Sequence, residues 1–349
     1  MPADRPPQSL RRPGYTSAPP GGKLSTAPGI VARGGGFCLY GTRWAAYNPL
    51  QSYVIGLAAP AAPGKCWIVS DIHILCIGDV VGKPGRDVLA DHLPALIEAR
   101  RIGLVVCNAE NAAGGSGLTP EIFKKLLAAG VDVVTLGDHA YRKKQIIPTL
   151  ETSDRIVRPA NLAVAAAGKR WTAVPTRDGS DQAAVALVLG QMYMKPADSP
   201  WAAVERLLKE IPADVRLRII DVHAEASSEK IAMGWNLDGR ATLVFGTHTH
   251  VPTADACILP GGTAYISDVG MTGPYDGVLG RRKDRVLKSL LTDMPTFYEI
   301  ATGDVRLCGV LVTADTRTGR ASAIERIEIR GQARPGRPYD KDDGMGQNA

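Results

Sequence analysis

Two of the six histidines in this 349-residue chain lie two positions apart, in Gly246-Thr247-His248-Thr249-His250. They follow the apolar run Ala241–Phe245, which reads as a buried strand. In an extended backbone, residues i and i+2 point to the same side. Neutral imidazole is the commonest side-chain metal ligand. The pair can offer two nitrogens to one metal, or one nitrogen to each of two adjacent metals.

The same arrangement recurs five times along the chain: an apolar strand ends and ligand-type side chains follow. Ile74–Ile77 leads to Asp79, and Leu104–Cys107 leads to Glu110-Asn111. Val131–Leu136 leads to Asp138-His139, Leu217–Val222 to His223, and Thr242–Phe245 to His248 and His250. In α/β sheets the carboxyl ends of strands form the ligand crevice. Four histidines, three carboxylates and one asparagine would meet on that rim. This set exceeds the needs of one zinc ion. It suits two metals about 3.5–4 Å apart. The mixture of imidazole and carboxylate points to manganese, iron, zinc or cobalt rather than magnesium or calcium.

The elements that must position these groups alternate. Further strands are expected at Ala183–Leu189, Ala264–Ser267, Val305–Thr313 and Ser322–Ile329, and helices at Arg86–Arg101, Pro120–Ala129 and Pro200–Glu210. Asp315–Gly319 reads as the turn of a terminal hairpin. Early strand–helix alternation followed by β-rich sequence predicts an α/β fold, with two packed sheets and helices outside.

At these residues the chain resembles the calcineurin-like metallophosphoesterases. Asp79, Glu110-Asn111, Gly137-Asp138-His139, His223 and Gly246–His250 follow their motif order. Ile77–Arg86, Asn108–Gly115, Arg158–Asn161, His223–Ile231 and Thr247–Tyr275 narrow the resemblance to the YmdB-like subfamily, over about residues 74–329. The resemblance implies a four-layer α/β/β/α sandwich with two mixed sheets. It implies a dinuclear site of two divalent or trivalent ions, iron or manganese first, zinc or cobalt as alternatives. Asp79, Asn111 and His250 match the ligands of one metal; Asp138, His223 and His248 match those of the other. Glu110 matches the bridging carboxylate, and His139 the group that protonates the leaving oxygen. The implied reaction is hydrolysis of cyclic nucleotides, 2′,3′-cyclic ones above all, by a metal-bridging hydroxide.

Two departures stand out. The family usually has Asn where this chain has Asp138, and often Trp where it has Tyr141. The extra carboxylate is expected to ligate and to hold metal more tightly, while weakening the field on an anionic substrate. Asp71-Ile72-His73 also matches the opening D-x-H motif of most metallophosphoesterases, but it precedes its strand, whereas a ligand should follow.

The net charge of +6 suggests nucleic-acid binding until it is located. Residues 1–70 carry seven Lys/Arg against Asp4 alone, which leaves the remainder neutral. RNA binding is therefore unsupported by charge. Residues 1–70 are rich in Pro, Gly, Ser and Ala and read as a disordered basic extension, or as the product of an early start codon. Residues 71–330 are expected to form the metallophosphoesterase domain that the resemblance implies, and residues 331–349 read as a disordered tail. The apolar stretches are too short to span a membrane. Six scattered cysteines without C-x-x-C fit a reducing cytoplasm. A homo-oligomer is expected. The competing readings are a phosphomonoesterase or ribonuclease on the same site, and a regulatory protein that binds RNA or a partner with weak catalysis.

Several features carry two readings each. Gly114–Gly117 could cradle phosphate or simply turn, and Gly82–Arg86 could bring cations to Asp79 or be solvated. Glu225 and Glu229 could support His223 or start a helix. Arg281-Arg282-Lys283 reads as a solvated face, and His92 as a structural histidine in the first helix.

Overall fold

Strand residues alternate between two different apolar environments, and this alternation builds the layers. The computed structural model describes residues 71–332 and 338–344. The extension expected over residues 1–70 lies outside the described residues. The strands are β1 (Asp71–Ile77), β2 (Ile102–Asn108), β3 (Val133–Thr135), β4 (Ile156–Val157), β5 (Trp171–Pro175), β6 (Gln182–Leu189), β7 (Leu217–His223), β8 (Leu243–Thr247), β9 (Cys257–Ile258), β10 (Ala264–Ile266), β11 (Gly273–Pro274), β12 (Val305–Asp315) and β13 (Ala321–Arg330). The helices are α1 (Gly82–Arg100), α2 (Pro120–Ala128), α3 (Ile147–Thr152), α4 (Pro200–Glu210), α5 (Ser227–Asn236) and α6 (Lys283–Thr292).

One sheet has seven strands in the order β11-β12-β1-β2-β3-β4, with β13 paired to β12. The other has six, in the order β5-β6-β7-β8-β10-β9. Both are mixed: β1 to β4 run parallel beside antiparallel β12, and β6, β7, β8 and β10 run parallel between antiparallel β5 and β9. Parallel neighbours bring their carboxyl ends to one edge of each sheet.

On β1, Ile72, Ile74 and Cys76 join a cluster with Ile219 of β7 and Leu243 and Phe245 of β8, so this cluster lies between the sheets. Leu75 and Ile77 face the other way, onto Leu89 and Leu93 of α1 and the cluster that includes Phe123 of α2. On the second sheet, Ile220, Val222 and Val244 meet Val204 and Leu207 of α4 and Met233 of α5. A period of two puts alternate residues on opposite faces, and sheets buried on both faces read as continuous apolar runs. The result is the expected α/β/β/α sandwich. Emptying the inter-sheet position of Phe245 would cost about 3–5 kcal/mol.

Helices α2 and α4 start where the sequence predicts, for one shared reason. Thr119 Oγ1 accepts from Ile122 N and Ser199 Oγ from Ala202 N, each at 3.3 Å, and each cap is followed by proline. A capping hydroxyl satisfies a free helix N–H, and proline suits the first helical position. Helices α3, α5 and α6 were not expected; α5 and α6 start without a side-chain cap.

The tail differs from its expected disorder where it is described. Lys341–Asp343 forms a 3-10 turn with a capping box from Asp340. The Asp343 carboxylate is fully buried and accepts from Arg86 Nη1 at 2.7 Å and from Gly114 N at 2.8 Å. Charge complementarity with a buried arginine orders this segment, and no local pattern announces it. Among the described residues, no helix is long and apolar enough to cross a membrane. Cys76, Cys107 and Cys308 are buried free thiols and Cys257 is an exposed one.

Candidate metal centre

All eight side chains singled out at the strand ends come to one place. Asp79 follows β1, Glu110 and Asn111 follow β2, and Asp138 and His139 follow β3. His223 closes β7, and His248 and His250 follow β8, so both sheets contribute. Glu110, Asp138, His223 and His248 bring ligand atoms within 4.8 Å of one another. Glu110 Oε1 lies 3.2 Å from His223 Nε2 and 3.1 Å from His139 Nδ1. Asp138 Oδ1 lies 3.5 Å from His223 Nε2 and 3.8 Å from His248 Nδ1. Beside this group, His250 Nε2 lies 3.8 Å from Asp79 Oδ1 and 3.2 Å from Asn111 Nδ2.

The histidine pair is not extended. His248 has φ 94° and His250 φ 65°, and the strand ends before them at Thr247. Left-handed backbone at non-glycine residues stores strain and clusters at functional sites. Here it separates the rings. His248 turns to Asp138 and His223, while His250 turns to Asp79 and Asn111. A buried ion pair braces the turn. Asp268 lies 2.8 Å from Lys230 Nζ and accepts from both Thr249 N and Thr249 Oγ1.

Three of these histidines each have one nitrogen spoken for. Thr247 Oγ1 donates to Asp221 at 2.6 Å and lies 2.8 Å from His223 Nδ1. His223 Nδ1 therefore carries the proton toward Thr247, and Nε2 faces the cluster. His250 Nδ1 donates to the Leu279 carbonyl at 3.2 Å, since a carbonyl only accepts. His248 Nε2 meets Glu225 at 3.3 Å. Outer partners of this kind fix tautomer and ring orientation in metal sites.

The donor set fits metal ions. Asp79 Oδ1 and Asp138 Oδ1 are buried side-chain oxygens with no hydrogen-bond partner. Buried polar atoms without partners are costly, and both lie beside imidazole nitrogens freed by the partners above. Burial disfavours the His223 cation, yet Glu110 and Asp138 raise its pKa well above the usual value. Burial likewise opposes ionisation of Glu110, but His223, with hydrogen bonds from His139 and His223, holds that carboxyl well below its usual range. Burial, then the charge of His223, pushes His248 down to about 4. Burial raises Asp79, with His250 opposing. Glu110 and Asp138 thus favour a cation at His223, and a metal ion would compete with that proton.

Gly137 shows how tightly the cluster is built. A Cβ there would stand 2.2 Å from Glu110 Oε2 and 2.4 Å from His223 Nε2, so only glycine lets the third strand end approach.

A model of the YmdB-like proteins matches residues 75–327. The chain belongs to the YmdB-like family. It is 43% identical over 258 residues to a 2′,3′-cyclic-nucleotide 2′-phosphodiesterase of Bacillus subtilis, covering 74% of this chain and 97% of that one. Among solved structures, a hypothetical protein from Thermus thermophilus is 39% identical with a TM-score of 0.70, covering 75% of this chain and all of that one. A phosphatase from Mycoplasma pneumoniae is 32% identical with a TM-score of 0.70, covering 74% and 94%. This YmdB-like chain is a phosphoester hydrolase of the metallophosphoesterase fold.

The remaining sequence candidates fall elsewhere. Asp71 and His73 sit on β1 itself, ahead of the end that leads to Asp79, and His73 Nδ1 meets the Arg100 carbonyl at 2.6 Å. Lys83 pairs with Asp87, and Arg86 with Asp340 and Asp343, so the Gly82–Arg86 cations are engaged away from Asp79. Gly115 packs against Arg281, which donates to its carbonyl and to that of Tyr298. Glu225 supports His248 rather than His223, and Glu229 binds the Gln191 and Met192 amides. Tyr141 donates to the Ala167 carbonyl. Sequence reasoning missed Thr247 and Asp221, which orient His223; a polar pair inside apolar strands was the available signal.

Proposed function

We propose that this enzyme is a dinuclear-metal phosphodiesterase for cyclic nucleotides, most of all 2′,3′-cyclic nucleotides. The convergence of Asp79, Glu110, Asn111, Asp138, His223, His248 and His250, with two orphaned carboxylate oxygens among them, carries the reading. The Bacillus subtilis relative's name supplies the substrate class. In this reading Asp79, Asn111 and His250 would hold one ion and Asp138, His223 and His248 the other, with Glu110 as the carboxylate available to either. Iron and manganese suit the donor set best, then zinc and cobalt. When bound, such ions supply Lewis acidity for water activation and for charge on the phosphoryl oxygens.

The chain's own groups do the rest. His139 is the most open of the site histidines, with its side chain 31% exposed. Glu110 fixes it twice, accepting from His139 N at 2.9 Å and meeting Nδ1 at 3.1 Å. That leaves Nε2 toward the rim, placed to give a proton to a departing ribose oxygen. Opening a strained five-membered cyclic phosphate asks less of that acid than cleaving an unstrained diester does.

Turnover of 2′,3′-cyclic AMP, bis-p-nitrophenyl phosphate, p-nitrophenyl phosphate and RNA on manganese- or iron-loaded protein tests the reading. The cyclic nucleotide should be the best substrate by kcat/KM. Preference for the monoester or for RNA would replace this reading with a phosphomonoesterase or a ribonuclease.

A further inference from the structure

Three carboxylates, Asp79, Glu110 and Asp138, face one site that must accept an anionic ester. Among the described residues, their ion pairs include a single lysine or arginine. Lys195 Nζ lies 3.1 Å from Asp138 Oδ2 and 3.4 Å from the Asp138 carbonyl. His139 Nε2 lies 3.7 Å from the same Oδ2, so the lysine and the proposed proton donor flank one oxygen. The other oxygen, Oδ1, stays buried and unpartnered among the ligand nitrogens. Asp138 thus divides its work, one oxygen inward and one toward the rim.

The segment that leads into Lys195 is held at residues 190–192. Leaving β6, Gly190 N donates to the His223 carbonyl at 3.0 Å. Glu229 of α5, itself buried, accepts from Gln191 N at 2.9 Å and from Met192 N at 3.0 Å. Tyr193 then takes φ 61°, a left-handed conformation that reverses the chain toward Asp138. The Lys195 side chain ends 66% exposed. A salt bridge this exposed adds little stability, so the placement of Lys195 beside Asp138 and His139 points to a role other than stability.

We propose that Lys195 is the cation that receives the phosphoryl group of the substrate. It offsets the negative charge of Asp138, and its remaining N–H binds a phosphate oxygen beside His139. This deepens the phosphodiesterase reading and rests on it for the identity of the substrate. An ammonium binds phosphate as a point charge with three donors, so arginine should substitute for much of it.

The test is calorimetric titration of manganese-loaded full chain with inorganic phosphate, for native protein, Lys195→Met and Lys195→Arg. Lys195→Met should bind phosphate about 10-fold more weakly, as expected for loss of a charged hydrogen-bond donor. Lys195→Arg should stay within about threefold of native. Manganese stoichiometry and affinity, measured separately, should not fall in either variant, and KM for 2′,3′-cyclic AMP should rise more than kcat falls. Equal phosphate affinity in native and Lys195→Met would overturn the proposal. So would joint loss of manganese and phosphate, which would make Lys195 a prop for Asp138. Native protein that binds phosphate through Lys195 but leaves cyclic nucleotides intact would refute the phosphodiesterase reading alone.

Discussion

The two halves of the site are built differently. Around His223, two carboxylates and two imidazoles crowd within 4.8 Å. Around His250 stand one carboxylate, one amide and one imidazole, with His250 Nε2 3.8 Å from Asp79 and 3.2 Å from Asn111. In the first half, side chains orient the rings: Thr247 serves His223 and Glu225 serves His248. In the second, a backbone carbonyl, Leu279, orients His250. A donor set held by side-chain partners is the more fixed of the two, and a more fixed donor set means tighter cation binding. The first half should hold its ion even when the second is empty, and the second should fill last.

That contrast can be broken by substitution. His223→Ala should have the largest effect: it removes the nitrogen shared by Glu110 and Asp138, and turnover should fall well beyond the ~10–100-fold typical of outer-sphere changes. Elemental analysis should show the tightly held ion gone. His250→Ala should be milder, retaining one tightly held ion per chain while turnover drops. Glu225→Gln should weaken the first-half ion by about 10-fold, because the amide orients His248 without the carboxylate's charge; competition with a chelator reads this directly. His73→Gln, on the body of β1, should leave metal content and kcat/KM within about twofold of native. A large loss there would restore Asp71 and His73 as ligands.

Much of this was legible in the chain, and the reasons are physical. A strand that ends in a ligand-type side chain announces itself twice, by its apolar run and by the polar residue that breaks it; Asp79, Glu110, Asp138, His223 and His248 were all readable in that way. The two sheets followed because nearly every parallel strand is apolar on both faces. What the sequence hid depends on distance or on backbone. The left-handed φ at His248 and His250 has no side-chain signature, since glycine or asparagine would have been the usual flag. Asp343 lies 257 residues from its partner Arg86, so the docked tail passed for disorder. Lys195 looked like any surface lysine until Glu229 was seen to fold its loop back. Helix α6 lacks a cap and exposes Leu290 and Leu291, which blurs the pattern that marked α2 and α4.

The central claim is that seven side chains form two unequal metal sites serving one hydrolytic reaction. Stepwise titration of metal-free protein with manganese, with hydrolysis of 2′,3′-cyclic AMP followed at each addition, tests it most directly. The account predicts two equivalents per chain in two steps, the tighter abolished in His223→Ala, the weaker in His250→Ala, and full turnover only after the second. Binding of one equivalent or none, or loss of the same step in both variants, would contradict it.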